Sequence, residues 1–391
     1  MGVIMADRLV SQIENIIRKA SGIEHGPIVL HEPFFNGNER QYVVDCIDTN
    51  WVSTVGKFVN LFEQLLSRVT GVKHSIATVN GTAALHVCLI LAGVQRDEEV
   101  LTQALTFVAA PNAISYCGAI PHFVDVSPVS LGVCPDRLRE YLKKIGEFRD
   151  DHLFNRQTGR RIRALLVMHT FGHPSHLDEL KKVCDEFGIA LIEDAAEAIG
   201  SEYGGRHVGH HGLLSTLSFN GNKILTTGGG GAILTNDDQL AERARRLTTT
   251  GKVSHQWEYY HDCVAYNYRM PNVNAALGCA QLEQLSEILT KKRLLASRYN
   301  SEFSKVEDIT FFNEMPGVKS NYWLNAIMLK KVSREQRNRL LDALNEDGIM
   351  VRPAWNLANT LPMYKNCPSD DLSVSRRIEE SLINVPSSPS F

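Results

Sequence analysis

The chain has 391 residues, of which 43% are hydrophobic and 22% are charged, and its formal net charge is −3. This balance is typical of an enzyme-sized globular protein with a large core, and the length fits two or three domains. The small net charge and the lack of a long basic block argue against nucleic-acid binding as the main activity. No uncharged run approaches membrane-spanning length and the N-terminal segment carries charges, so neither secretion nor membrane insertion is expected.

The eight cysteines are scattered along the chain and form no Cys-x-x-Cys pair. Several lie in apolar surroundings, as Cys88 does, so we expect reduced core thiols in a cytoplasmic protein. The histidines at 207, 210 and 211 hint at a metal, but no cysteine or carboxylate accompanies them in the sequence. We therefore expect no metal site.

The predicted elements begin with an amphipathic helix over residues 8–19 and two further helices at 39–47 and 58–69. From residue 75 onwards, short apolar strands alternate with amphipathic helices, which favours an α/β sheet with right-handed crossovers. The predicted strands are 75–79, 99–103, 122–126, 164–170, 189–193 and 232–235, and the helices are 81–92, 108–116, one that ends at Gly188, and 239–247.

The polar stretch 143–161 interrupts this alternation and is expected to be an exposed insertion. The spacing of Leu282, Leu285 and Leu289 predicts one long helix that leads into a second domain. A Pro- and Ser-rich tail begins at Leu382. In the second domain we expect a strand at 323–329, a helix at 334–346 and an extended piece at 350–352. The predicted division is 1–27 as a helical extension, 28–275 as a large domain and 276–391 as a small α+β domain.

The segment Ser218-Phe219-Asn220-Gly221-Asn222-Lys223 places one lysine between small polar residues and the glycines Gly228 to Gly231. Ser218 and Asn220 are suited to hold an anion, and glycines allow a ligand close to the backbone. By itself, Lys223 is more simply a surface lysine before a strand. A P-loop is excluded because G-x-x-x-x-G-K-[ST] is absent, and no G-x-G-x-x-G follows the first strand to bind a nicotinamide cofactor.

Further candidates stand at predicted strand ends, where open α/β sheets bind their ligands. Asp194 follows an apolar strand and is costly to bury without a cation, although Asp is also a favoured helix N-cap. Gly81 and Thr82 begin a helix whose free N–H groups attract an anion, but Thr also caps helices without a ligand. Phe107 follows another strand and either stacks on a flat ring or belongs to the core.

Pyridoxal 5′-phosphate (PLP) requires four features together: an anion site, a stacking aromatic, a carboxylate for its ring nitrogen and a lysine for its aldehyde. Lys223 would bind the aldehyde covalently and later move a proton between substrate and cofactor. Asp194 would keep the pyridine nitrogen protonated, which makes the ring an electron sink. The combination predicts a PLP enzyme.

Four motifs resemble, in this order, the DegT/DnrJ/EryC1/StrS family of PLP-dependent sugar aminotransferases: Asn80-Gly81-Thr82-Ala83-Ala84-Leu85, Glu193-Asp194-Ala195-Ala196-Glu197, the Ser218 to Lys223 segment with its glycine run, and Asn267-Tyr268-Arg269-Met270. The resemblance implies a fold type I aminotransferase, in which a mostly parallel seven-stranded sheet lies between helices, with a smaller C-terminal α+β domain. It also implies L-glutamate as the amino donor, a keto-sugar nucleotide as the acceptor, and a homodimer with active sites at the subunit interface.

The resemblance assigns roles to single residues. Lys223 matches the catalytic lysine, Asp194 the partner of the pyridine nitrogen, and Phe107 the aromatic that covers the ring. Glu197 matches a residue near the ring hydroxyl. The residues on the phosphate side are Gly81, Thr82, Ser218, Asn220 and, from the neighbouring subunit, Asn267. Arg269 is a candidate for the carboxylate of glutamate. Apart from the resemblance, Lys57 in the loop after Trp51 is either a partner of the substrate diphosphate or an ordinary solvated lysine.

Within the family, His31-Glu32-Pro33, residues 35–39, the insertion 143–161 and residues 170–174 are similar to the LegC-type subgroup of nucleotide-sugar 4-aminotransferases. This similarity implies transfer to C4 of a 4-keto-6-deoxy hexose, typically UDP-linked and N-acetylated. Lys223 argues against the dehydratase branch, which has His in its place. The alternatives are amination at C3, a dTDP- or GDP-linked sugar, and a regulator that binds PLP or a nucleotide sugar without turnover.

Overall fold

The structure is a computed structural model that describes residues 2–253, 255–330 and 333–391, without the side chains of residues 2–7. The predicted domain division includes Met1, Ser254, Lys331 and Val332, which lie outside the described residues. The helices are α1 (Gly2–Ser21), α2 (Glu39–Asp48), α3 (Lys57–Thr70), α4 (Gly81–Leu91), α5 (Ala109–Tyr116), α6 (Pro135–Ile145), α7 (Leu177–Phe187), α8 (Asp238–Thr248), α9 (Asn272–Glu283), α10 (Leu285–Phe303), α11 (Arg334–Glu346) and α12 (Ser373–Ser381). None of these helices combines the length and apolar character needed to cross a membrane.

The strands are β1 (His74–Thr78), β2 (Glu99–Gln103), β3 (Ile120–Val124), β4 (Gly146–Arg149), β5 (His152–Asn155), β6 (Ile162–Met168), β7 (Ala190–Asp194), β8 (Glu202–Tyr203), β9 (Arg206–His207), β10 (Leu214–Ser218), β11 (Gly231–Thr235), β12 (Lys252–Val253), β13 (Tyr260–His261), β14 (Ile309–Phe311), β15 (Val318–Lys319), β16 (Asn325–Leu329), β17 (Arg352–Pro353) and β18 (Leu382–Val385). Single 3₁₀ turns lie at Thr170–Gly172 and Ala358–Thr360.

The largest sheet has seven strands in the order β1-β11-β10-β7-β6-β2-β3. β11 runs antiparallel to both of its neighbours, whereas the other neighbouring pairs are parallel. All strands except β11 therefore end at the same edge, where β11 begins. This arrangement confirms the predicted mostly parallel, seven-stranded sheet of fold type I.

Alternation of side chains along the strands gives the sheet two buried faces. In β6, Leu165 and Val167 belong to one hydrophobic cluster, whereas Ala164 and Leu166 belong to another on the opposite face. A strand that is apolar on both faces is typical of a parallel sheet covered by helices on both sides.

A third hydrophobic cluster joins the two ends of the chain. It contains Ile13 and Ile17 of α1, Tyr299 of α10, Leu340 of α11 and Ile383 of β18. These elements surround an antiparallel sheet of four strands, β14-β16-β18-β17. The N-terminal helix therefore packs on the C-terminal part of the chain, which explains its strongly apolar face.

The stretch 143–161 is largely exposed, as predicted, but it has a structure of its own, and Ile145, Gly146, Leu153 and Asn155 within it are buried. β4 and β5 form a hairpin whose turn residues, Asp150 and Asp151, have φ of 48° and 60°. Asn155 and Thr158 then donate hydrogen bonds of 3.0 and 2.6 Å to the buried carboxylate of Glu99. The polar residues of this mostly exposed stretch thus include the donors that the buried carboxylate needs.

Other elements also differ from the prediction; α6, α12 and β14, for example, were not predicted. The expected long helix through Leu282 is divided into α9 and α10 at Gln284, whose side-chain amide donates to Glu39 Oε1 at 2.5 Å. β10 was missed because its sequence, Leu-Ser-Thr-Leu-Ser, is too polar for an apolar strand. β18 lies within the Pro- and Ser-rich tail, yet every residue of it is buried in the small sheet.

Candidate active site

A cavity of about 320 Å³ lies at the sheet edge where the parallel strands end. It brings together the residues assigned to the cofactor within one subunit: Gly81, Thr82, Phe107, Asp194, Glu197, Ser218, Asn220 and Lys223. Two side chains from the C-terminal part of the chain, Trp323 and Trp355, complete its wall. We refer to this space as the inner cavity.

Lys223 faces the inner cavity from the loop that follows β10. Its Nζ lies 3.1 Å from Oε1 of Glu197 and 3.9 Å from the ring centroid of Trp323. Hydrogen bonds within the loop hold the lysine in place, with Lys223 N–H donating to Asn220 O at 3.0 Å. The amine is thus held between a carboxylate and the π face of an indole.

Glu197 is the buried partner of this lysine. Its Oε2 accepts the backbone N–H of Phe171 at 2.9 Å, and Phe171 has the uncommon φ of 56° for a residue with a side chain. Burial raises the pKa of Glu197 to about 7, against the lowering effect of the charge on Lys223. Glu197 therefore changes its protonation state near neutral pH.

The raised pKa of Glu197 predicts a pH-dependent stability in the cofactor-free protein. Between pH 4.5, which is the ordinary pKa of Glu, and about pH 7, Glu197 holds a proton in the folded protein that it has lost in the unfolded chain. The stabilisation is fully present below pH 4.5 and is lost as the pH rises through 7. Against a Glu197→Gln variant, denaturant titrations should show the wild type losing on the order of 3 kcal/mol of relative stability across this window. A difference that does not change with pH would contradict this expectation.

Two consecutive carboxylates end β7 and have different surroundings. Asp194 lines the inner cavity and accepts hydrogen bonds from Ala196 N–H (3.1 Å) and the Thr216 hydroxyl (3.4 Å), and burial raises its pKa. In the described part of the chain no cationic side chain is within hydrogen-bond distance of Asp194. A protonated ring nitrogen would supply the missing partner.

Glu193 points to the other face of the sheet, where its hydrogen bonds are saturated. It accepts from His169 Nε2 at 3.1 Å and from the backbone N–H groups of residues 209, 211 and 212 at 2.8, 2.9 and 2.7 Å. Burial alone would raise its pKa, but these hydrogen bonds lower the pKa of Glu193 to about 2. Glu193 is thus a structural carboxylate and Asp194 is the one available to a ligand.

The start of α4 forms the anion end of the cavity. Asn80 accepts the N–H of Ala83 at 2.7 Å, and Gly81 and Thr82 are the first helical residues, so unpaired N–H groups face the cavity. A Cβ on Gly81 would lie 3.0 Å from Cβ of Ser218 and 3.3 Å from its hydroxyl. A Cβ on Gly231 would lie 2.5 Å from the Asn80 carbonyl, so the last glycine of the run makes room for this loop.

Gly81→Ala should weaken cofactor binding because the added methyl group occupies the space between the two sides of the anion site. We expect an affinity about tenfold lower, the equivalent of one hydrogen bond. Gly221→Ala is the matched control, since nothing lies within 4 Å of a Cβ there. Fluorescence titrations of the cofactor-free proteins would measure both affinities, and equal values for the two variants would contradict the assignment.

Aromatic side chains form the rest of the wall. Phe107 is 48% exposed, so it is available to a ring, and its centroid lies 6.2 Å from that of Trp355. Trp323 is fixed by a 2.7 Å hydrogen bond from its Nε1 to Asn222 O. The sequence reasoning missed both tryptophans, because no pattern links them to the strand ends that lie far earlier in the chain.

Three predicted residues do not line the inner cavity of this subunit. Lys57 is largely exposed and pairs with Asp45 at 2.6 Å. Arg269 donates to Glu63 at 2.5 Å, so its charge already has a partner. Asn267 is exposed and bridges to Thr249. A role for Asn267 in a neighbouring subunit stays a prediction, as do the roles of Lys57 and Arg269.

A second, larger cavity of about 620 Å³ adjoins the first and shares Phe107, Asn222, Trp323 and Trp355 with it. We call it the outer cavity. His31 lies in its wall with neither ring nitrogen hydrogen-bonded in the described structure, and burial lowers the pKa of His31, so its ring is neutral. The volume is in the range of pockets that hold whole small-molecule ligands.

The rings of two of the three histidines that hinted at a metal bind backbone groups instead. His207 Nε2 accepts the N–H of Gly200 at 2.9 Å, and His210 Nε2 lies 2.8 Å from Thr70 O. Within the described ranges, no group of three or more His, Cys, Asp or Glu side chains is placed to hold a metal ion.

The residues of the inner cavity fit PLP. A helix N-terminus with a glycine suits the phosphate, a buried carboxylate without a cation suits the ring nitrogen, and a lysine faces the same space. Phe107 and the two tryptophans supply apolar walls for the ring.

Comparisons with known proteins agree with this fit. The model of the DegT/DnrJ/EryC1/StrS aminotransferase family matches residues 34–391. GDP-perosamine synthase of Vibrio cholerae is 37% identical over 363 residues, which cover 93% of this chain and 94% of that protein. The putative pyridoxal phosphate-dependent aminotransferase EpsN of Bacillus subtilis (strain 168) is 34% identical over 340 residues, 87% and 84% of the two chains.

Among solved structures, the aminotransferase TlmJ from Streptoalloteichus hindustanus superposes with a TM-score of 0.84 at 27% identity, over 94% of this chain and 95% of its own. The four sequence motifs, the fold and these matches lead to the same assignment. The chain belongs to the DegT/DnrJ/EryC1/StrS aminotransferase family and is a PLP-dependent sugar aminotransferase.

Proposed function

We propose that the enzyme transfers an amino group from L-glutamate to C4 of a nucleotide-linked 4-keto-6-deoxy hexose. The observation that carries this proposal is the outer cavity of about 620 Å³, which adjoins the cavity of Lys223 through shared aromatic walls. An amino acid alone would not need so much space, whereas a nucleotide sugar would. Its keto carbon would enter the inner cavity while the rest of the molecule stays in the outer one.

Different residues of the chain would have different roles in this reaction. Bound PLP would supply the aldehyde that carries the amino group and a ring that serves as the electron sink. Nζ of Lys223 would move a proton between the substrate carbon and the cofactor carbon, away from the substrate carbon with the donor and toward it with the sugar. Glu197 positions that amine, Asp194 would hold the proton on the ring nitrogen, and the start of α4 with Ser218 would bind the phosphate.

Two nucleotides are candidates for the acceptor. The name of the V. cholerae relative, GDP-perosamine synthase, favours a GDP-linked sugar. The LegC-type motifs around His31 and residues 170–174 favour a UDP-linked, N-acetylated sugar. We place the GDP-linked substrate first, because the relative's identity spans almost the whole of both chains.

We also propose a homodimer in which each subunit completes the site of the other. The segment 255–264 supports this, because it exposes Trp257, Tyr259, Tyr260 and Val264 with relative accessibilities of 76, 81, 58 and 92%. Asn267 lies three residues after this segment and would reach the phosphate of the neighbouring site. Sedimentation of the protein with bound cofactor would test the dimer.

The test of the proposed reaction is an amination panel. The purified protein, PLP and glutamate would be combined with GDP-, UDP- and dTDP-linked keto sugars, and the position of the new amine would be determined by NMR. Amination at C4 of a GDP-linked sugar is the expected result. Amination at C3 would overturn the regiochemistry, and 2-oxoglutarate release without any sugar product would overturn the acceptor class.

A further inference from the structure

The outer cavity contains a cation without a carboxylate partner. Arg352 of β17 lines this cavity, and among the described residues that do so it alone carries a charge, since His31 is neutral. No ion pair joins Arg352 to any Asp or Glu in the described chain. An unpaired guanidinium in the wall of a large cavity is a binding group for an anion.

The guanidinium of Arg352 is also held in a fixed orientation. Its Nη1 donates to Oδ1 of Asn345 and to Val351 O, both at 2.8 Å. Asn345 is itself fixed at the end of α11, because its amide donates to Leu341 O at 2.7 Å and Val351 O at 3.1 Å. Nε and Nη2 of Arg352 make no hydrogen bond within the described structure, so donors remain for a ligand.

We propose that Arg352 binds the diphosphate of the nucleotide sugar and so places the sugar toward Lys223. The inference rests on the proposed function, which supplies the ligand class, and it replaces Lys57 as the diphosphate partner within one subunit. Lys57 is paired with Asp45 and lines a different cavity together with Trp51 and Val55. Arg352 lines the same cavity as the aromatic residues next to Lys223.

The test measures binding rather than turnover. Calorimetry would compare guanosine, GMP and GDP, and separately uridine, UMP and UDP, on the protein with bound cofactor. In the wild type, affinity should rise from nucleoside to diphosphate. In Arg352→Gln the diphosphate should bind about 10- to 100-fold more weakly while the nucleoside is unaffected. Arg352→Lys keeps the charge but loses the planar guanidinium, so its affinity for the diphosphate should lie between those of the wild type and Arg352→Gln.

Arg339→Gln is the matched control, because this exposed arginine of α11 forms an ion pair with Glu335 and lines neither cavity. Lys57→Gln tests the competing candidate. The proposal is overturned if Arg352→Gln binds the diphosphates as tightly as the wild type does, or if its affinity for the nucleosides falls as much as its affinity for the diphosphates. It is also overturned if Lys57→Gln alone weakens diphosphate binding. Diphosphate binding that depends on Arg352 in a protein that aminates no sugar would sustain this inference and refute the proposed reaction.

Discussion

Lys223→Ala is expected to bind PLP without the visible absorption band of a lysine-bound cofactor and to lose transamination. The variant lacks both the amine that attaches the cofactor and the group that moves the proton. Loss of the proton transfer alone corresponds to a rate about 10²- to 10⁴-fold lower. Absorption spectra and 2-oxoglutarate release from glutamate would measure the two effects separately.

Two controls separate chemistry from folding in this experiment. Borohydride treatment of the wild type should fix the cofactor on the peptide that contains Lys223, and the alanine variant should give no labelled peptide. A small primary amine added to the variant should restore part of the proton transfer, because the inner cavity is then enlarged by the missing side chain. Label on a different lysine would contradict the assignment of Lys223.

The sequence predicted the site well where local motifs coincide with strand ends. Gly81 and Asp194 lie at the ends of predicted strands, and a parallel sheet brings such positions to one edge. Lys223 itself lies on a loop, and its position depends on β10, a strand too polar to be recognised. The family motif supplied that assignment, whereas periodicity alone did not.

The parts that were missed depend on packing between distant segments. Trp323 reaches Lys223 only because α10 and the small sheet place it over the inner cavity, and its Nε1 bonds Asn222. Arg352 likewise reaches the outer cavity from a two-residue strand without a motif of its own. Arg269 stands in a family motif, yet the buried carboxylate of Glu63 already accepts its guanidinium. Such pairings are set by the tertiary structure, and a single sequence does not reveal them.

Asp194→Asn should abolish most of the activity while leaving the folded protein at least as stable as the wild type. Asparagine keeps an oxygen for Ala196 N–H and the Thr216 hydroxyl, and it removes a carboxylate whose burial raises its pKa. The ring nitrogen would lose its proton, and with it the electron sink. We expect turnover at least about 10²-fold lower, as for loss of a positioned acid or base. The measurements are turnover with saturating cofactor and thermal unfolding of the cofactor-free protein.

Glu193→Gln is the control variant, because the two carboxylates are neighbours in sequence but lie on opposite faces of β7. Glutamine cannot accept all the hydrogen bonds from His169 and the 209–212 loop, so one buried N–H is left unpaired. We expect a loss of about 3–5 kcal/mol in unfolding free energy, as for a broken buried pair. The stabilisation from Glu193 is present above pH 4.5, the ordinary pKa of Glu, and is lost as the pH falls toward about 2. The difference in unfolding free energy between the wild type and this variant should therefore shrink in acid. Compared with Asp194→Asn, the wild type should instead gain stability as the pH falls, because burial raises the pKa of Asp194. A variant pair with the two phenotypes exchanged would refute the division of roles between these carboxylates.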